Sequence, residues 1–234
     1  MCGTCRLSGE NIAVAVPAQP EPKRINGGSE LNYGLAILQL VRLKGRSTLP
    51  DVAAGAGLTP DDAEVAVQEF LRAGKLEESR GRLRLTALGR EALAHLIAEE
   101  RLGIDQERLV SAYGRFTPIN SEFKQLVTDW QMLDGSHPND HTNPDYDASV
   151  ISRLAELHNQ FTPLLGELAE IAPRLANYPQ RFAAALAKIR AGDHAWFAGP
   201  LIDSYHTAWF ELHEDLIGLA GLSRSEEAKA GRAQ

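Results

Sequence analysis

Apolar positions recur at helical spacing from Leu31 onward, then alternate briefly, then return to helical spacing. Leu31, Leu35, Leu38, Leu40, Val41 and Leu43 predict a first helix from Leu31 to about Lys44, which Gly45 stops. Ser47-Thr48 offers a cap for a short second helix carrying Leu49, Val52 and Ala53, with Pro50 and Asp51 in its first turn. Thr59-Pro60-Asp61-Asp62 opens a third helix whose apolar side is Val65, Val67, Phe70 and Leu71, and Ala73-Gly74 ends it. Arg82 to Thr86 alternates polar and apolar, the period of a half-buried strand. With Lys75 to Glu78 and a turn at Ser79-Arg80-Gly81 it predicts a two-strand hairpin. Thr86 caps a fourth helix bearing Leu88, Leu93, Leu96 and Ile97.

This order is that of a winged helix-turn-helix with a two-strand wing, placed at residues 31–101. A helical bundle with one exposed hairpin is the plainer alternative. Leu49-Pro50-Asp51-Val52-Ala53, Leu58-Thr59, Phe70 to Leu76 and Leu85-Thr86-Ala87-Leu88-Gly89-Arg90 resemble the winged helices of the multiple-antibiotic-resistance-regulator (MarR) superfamily. The resemblance implies DNA binding for this stretch alone.

Residues 102–222 predict an all-α helical domain. Ile104, Leu109, Val110 and Tyr113 mark one helix, and Phe116 to Asn120, with Pro118, marks a break. Asn120 or Ser121 would cap a helix carrying Phe123, Leu126, Val127, Trp130 and Met132. Leu133 to Asp147 reads as a polar loop. Tyr146 to Glu170 is a long helical pattern that Pro163 should kink or split. Arg181 to Ala191 and Asp203 to about Leu222 are the last two helices. Residues 1–30 and 223–234 read as flexible tails, so the whole reads as a mainly α protein of two domains.

Charge changes the picture of the third helix. Residues 31–101 hold 10 Lys and Arg against 10 Asp and Glu, whereas residues 102–234 hold 11 against 18, so the whole net charge of −7 lies in the second part. That acidity disfavours contact with nucleic acid or anionic membrane there. Positions that would meet DNA are Thr59, Gln68 and Arg72 on the third helix and Arg80, Arg82 and Arg84 on the wing. Asp61, Asp62 and Glu64 would repel phosphate. The wing arginines also fit a strand edge blunted by charge.

With 44% hydrophobic residues and no apolar run of membrane-spanning length, the chain reads as cytoplasmic, with no membrane contact. Cys2 and Cys5 form a Cys-x-x-Cys pair without neighbouring zinc ligands or a thioredoxin-like context. Glycine-rich phosphate loops, a nucleophile elbow and a His-Glu-x-x-His pair are absent, so no enzyme activity is expected.

Asp203, His206, Phe210, His213 and Ile217 fall along one side at helical spacing. Asp203 and His206 could share a divalent metal. His213 lies roughly 10 Å further along, so His158 or a loop residue such as His141 would have to complete a site. No cofactor is firmly implied, and buried histidines that specify packing fit the same pattern. A winged helix followed by helices with scattered Asp and His is also similar to GntR regulators with metal-binding effector domains, though not helix by helix.

Asp203 to Leu216, Thr128-Asp129-Trp130-Gln131 and Asn139-Asp140-His141 resemble a helical module of actinobacterial phosphoenolpyruvate-utilising, pyruvate phosphate dikinase-like proteins. That resemblance implies an accessory partner of a phosphotransfer enzyme without its catalytic parts. The winged-helix reading makes the expected function a non-catalytic regulator that binds DNA through the third helix and the wing. The alternatives are a docking module for such an enzyme and a helical protein that binds metal or a small molecule. A homodimer is a further candidate assembly.

Overall fold

The computed structural model describes residues 30–133 and 135–222. The expected tails and the Cys2/Cys5 pair therefore lie outside the described residues, except that Glu30 opens the first helix. Within them the protein is mainly α-helical, with two small antiparallel hairpins.

The first part runs α1 (Glu30–Lys44), α2 (Leu49–Ala56), α3 (Pro60–Arg72), β1 (Leu76–Ser79), β2 (Arg82–Leu85) and α4 (Ala87–Gly103). The predicted stops and caps fall where the sequence places them. Gly45 takes a φ of +67°, and Thr48 and Asp51 form a reciprocal capping box on α2. Thr59 caps α3 and Thr86 caps α4. Leu76 pairs with Leu85 and Ser79 with Arg82, and the loop between the strands is Arg80-Gly81, both at positive φ. The backbone of Ser47, between α1 and α2, bonds that of Leu83 in both directions at 3.2 and 2.7 Å, adding a short third edge to the hairpin.

A core of Leu35, Ile37, Leu38, Val41, Val52, Val67, Leu76, Leu83 and Leu93 fills this part. Two expected core positions point outward. Val65 is exposed because Ala63, Ala66 and Val67 form the buried side of α3, and Leu88 is exposed because Gly89 and Leu93 form that of α4.

The second part runs α5 (Gln106–Gln131), β3 (Met132–Leu133), β4 (His137–Pro138), α6 (Pro144–Ile171), a 3-10 turn (Pro173–Asn177), α7 (Tyr178–Arg190), α8 (Ala195–Ala198) and α9 (Tyr205–Ala220). Here several expectations are corrected. Phe116 to Asn120 is no break, since α5 continues through Pro118. A proline inside a helix costs about 3 kcal/mol. Against that, Phe116 and Phe123 on either side are fully buried, each contributing roughly 1.5–3 kcal/mol. Asn120 is not a cap; its buried amide oxygen accepts a 2.8 Å hydrogen bond from the Trp209 indole. The α6 helix likewise continues through Pro163. The polar loop is shorter than Leu133 to Asp147, because β3 and β4 pair and α6 begins at Pro144. This small hairpin also means that the second part is not purely α. Asp203 lies ahead of Ser204, the cap of α9, rather than on the helix.

Trp209 centres the second core, 4.2 Å from the Phe123 ring and 4.7 Å from that of Phe161. No described helix is long and apolar enough to cross a membrane.

Gly89 packs where no side chain fits. A Cβ there would stand 2.0 Å from the carbonyl oxygen of Lys75 and 3.0 Å from Leu85. Gly89→Ala should therefore destabilise the protein by about 1–3 kcal/mol or more, by separating α4 from the hairpin. Urea unfolding of the variant against the parent measures it.

Candidate functional site

Three groups of polar side chains stand out. The first follows from the Ser47–Leu83 backbone bridge, which brings Arg46 beside β2. Arg46, Ser79, Arg80, Arg82 and Arg84 line one cleft of about 440 Å3. Arg84 is paired with Glu77 across the hairpin at 2.8 Å. Arg46 and Arg80 make no ion pair among the described residues. Arg82 helps to hold the Asp51 carboxyl low: burial pushes that group up, but hydrogen bonds from Thr48 and the charges of Lys44 and Arg82 outweigh it. Guanidinium groups gathered around one concavity have the chemistry to hold phosphate or carboxylate oxygens, though that of Arg84 is shared with Glu77. Sequence spacing exposes the three hairpin arginines. Arg46 joins them only through a backbone contact that the sequence does not announce.

The remaining predicted DNA contacts are placed differently. Thr59 is exposed but engaged, with its hydroxyl donating to Asp62 at 2.7 Å. Gln68 and Arg72 are exposed on α3, on the same open side as Asp61, Asp62, Glu64 and Glu69.

The second group is a buried ionic junction between the two cores. The Asp215 carboxylate accepts from Gln39 Nε2 at 2.9 Å, Arg174 at 2.8 Å and the Tyr178 hydroxyl at 2.7 Å. Arg174 also reaches the Glu100 carboxylate at 3.0 Å. Arg181 donates to Asp203 and to Glu211, each at 2.5 Å. Burial opposes the charge of Arg174, but Asp215 and Glu100 more than offset it and raise its pKa. Arg181 is raised in the same way by Asp203 and Glu211. Burial pushes the Glu211 carboxyl up, against the pull of Arg181 and Lys44. Of this group sequence reasoning named only Asp203, and in another role, because the other members lie on five separate elements and show no recognisable spacing.

The third group is the set of expected metal-ligand candidates, which stand in separate surroundings. Asp203 is held by Arg181. His206 is half-buried beside Phe123, with ring centroids 6.1 Å apart. His213 is buried, with its Nε2 3.3 Å from the Tyr113 hydroxyl. His158 Nδ1 lies 3.2 Å from the Tyr205 hydroxyl. His141, at a φ of +59°, has its Nδ1 3.0 Å from the buried Asp147 carboxylate. It lines a cleft of about 420 Å3 with Trp130, Asn139 and His194. Among the described residues no group of three or more His, Cys, Asp or Glu side chains is arranged to hold a metal ion.

Searches against protein-family models, curated proteins and solved structures each found no match.

Two outcomes follow. Asp215→Ala would remove the acceptor of Tyr178 and Gln39 and one of the two carboxylates that hold Arg174, and should cost about 3–5 kcal/mol in urea unfolding. Burial, with the nearby Arg190 charge, holds His158 below its ordinary 6.5, so the fold favours the neutral ring. Its contribution is present above 6.5 and is lost as pH falls through the lowered value. Stability measured between about pH 7.5 and 5 should fall less steeply for His158→Gln than for the parent.

Proposed function

We propose that this chain is a winged-helix regulator that binds DNA chiefly through its first hairpin. The order α1–α2–α3–β1–β2–α4, with Ser47 bonded to Leu83 as a third strand edge, supports reading residues 31–101 as the winged helix-turn-helix. The observation that carries the DNA reading is the cleft lined by Arg46, Arg80, Arg82 and Arg84. Its guanidinium groups suit backbone phosphates, which position a protein on a duplex without reading sequence. The acidic open side of α3 makes that helix a poor groove reader, so the wing takes the larger share of the contact. The second part then serves as the helical effector or assembly unit.

One observation favours a second reading. Asp61, Asp62, Glu64 and Glu69 on α3 offer a surface for a basic protein patch. This fits the accessory role suggested by the resemblance to phosphoenolpyruvate-utilising proteins.

Fluorescence anisotropy of a labelled random duplex across a salt series separates the two. The regulator reading expects a dissociation constant of about 10⁻⁴ to 10⁻⁶ M that weakens steeply with salt. Replacing Arg46, Arg80 and Arg82 by Ala should make the log–log salt slope shallower by roughly 1 for each phosphate that is no longer neutralised. An unchanged slope removes the hairpin cleft from the binding surface. No binding at low salt removes DNA and leaves the protein-docking reading.

A further inference from the structure

A groove of about 380 Å3 runs between α4 of the first part and α9 of the second. Ala94 and Ile97 line one wall, and Gly218 and Leu222 line the other. Ala94 is exposed and Leu222 is 37% exposed, so apolar surface here faces water. The two helices run in the same direction, since Gly218 lies beside Ile97 and Gly221 beside Arg101. Arg90 precedes Ala94 on α4, and Arg42, paired with Glu214 at 3.3 Å, lies ahead of Gly218 on the α9 side. The cations therefore mark one end of the groove.

The start of α1 lies toward the other end. A Cβ at Gly34 would stand 4.0 Å from the side chain of Leu96, the neighbour of Ile97. Glu30 opens α1 only about 6 Å from that contact, at 1.5 Å per residue. Ahead of Glu30 the sequence holds Ile12-Ala13-Val14-Ala15-Val16, an uncharged apolar run, and residues 223–234 hold no such run. Uncharged β-branched runs left in water pair with one another. Residues 17–29 join this run to α1 and can span up to about 45 Å, well beyond the distance required.

We propose that residues 12–16 dock in the groove between α4 and α9 of their own chain. In extended form Ile12, Val14 and Val16 share one side, which covers Ala94, Ile97 and Gly218. Five extended residues reach about 13 Å, against a groove that follows roughly 10–12 Å of each helix. With Val16 at the end nearer α1, Ile12 reaches the cationic end. Glu10 then falls by Arg90, whose guanidinium bonds the Leu85 carbonyl and makes no ion pair among the described residues. A tether this short holds the run near its groove at an effective concentration of about millimolar, which favours it over a second copy. Docked there, the run touches one helix of each part and ties α4 to α9. This inference does not depend on the DNA reading.

Hydrogen exchange of the full chain tests it. Amides of residues 12–16 should exchange at least about tenfold more slowly than unstructured chain. The protection should be the same at about 1 and 100 μM, because a tether acts at constant local concentration. Ala94→Glu and Leu222→Glu place a charge at exposed positions on opposite walls, and each should return the run to the unstructured rate. Amides of α7, away from the groove, should exchange as in the parent and so report intact cores; where one variant disturbs them, the other decides. Unprotected residues 12–16 in the parent overturn the proposal. Protection that fades on dilution does the same and assigns the groove to a second copy, and protection that survives either groove variant removes the groove as the site.

Discussion

Asp215 and Arg174 bury opposite charges between two hydrophobic cores that do not merge, and the relative placement of everything else follows from that contact. An apolar seam between the cores would be non-directional and free to slide. The ionic seam is not. Gln39 from α1, Glu100 from α4, Arg174 from the 3-10 turn and Tyr178 from α7 all converge on α9 or on its partners. Any shift that separated one pair would leave a desolvated charge, and the cost of that rises faster than the apolar gain from an alternative packing. A second group in the seam, Arg181 with Glu211 and Asp203, extends the same constraint.

The hairpin owes its setting to contacts within the first part. Its strands are short and would be marginal alone. They are held by Ser47 on one edge, by the close approach of Gly89 beneath, and by the capping hydroxyl of Thr86, which also donates to the Gly74 carbonyl at 2.7 Å. The arginine-lined cleft therefore rests on a supported surface rather than on a free loop, and it borders a second cleft through the shared Arg46 and Arg82.

The parts of the fold legible in the sequence are those set by local chemistry. Thr48, Thr59 and Thr86 cap their helices, Gly45 ends one, and Arg80-Gly81 turns the hairpin, because each acts within a few residues of itself. Pro118 misleads for the opposite reason: Phe116, Phe123 and the distant Trp209 decide whether the helix continues, and none of that is local. The same holds for the sites. Arg80, Arg82 and Arg84 announce themselves by alternation, whereas Arg46, Glu211 and Asp215 acquire their surroundings from elements far away in the chain. Spacing alone puts the histidine series on one helix side, but Asp203 stands off the helix and each histidine finds its own neighbour. Periodicity gives the side a residue occupies, not the partner it meets there.

At the tip of the hairpin, Arg80 takes a φ of +53°. A branched or long side chain in that left-handed region carries a steric penalty of about 1–2 kcal/mol that Gly escapes and Asn often avoids. The tip is thus a place where the fold is less stable than a simpler residue would make it, and what the chain has there instead is an exposed positive charge. Stability and charge pull in opposite directions at this one position, so a hairpin optimised for folding and a hairpin optimised for meeting an anion would not have the same sequence.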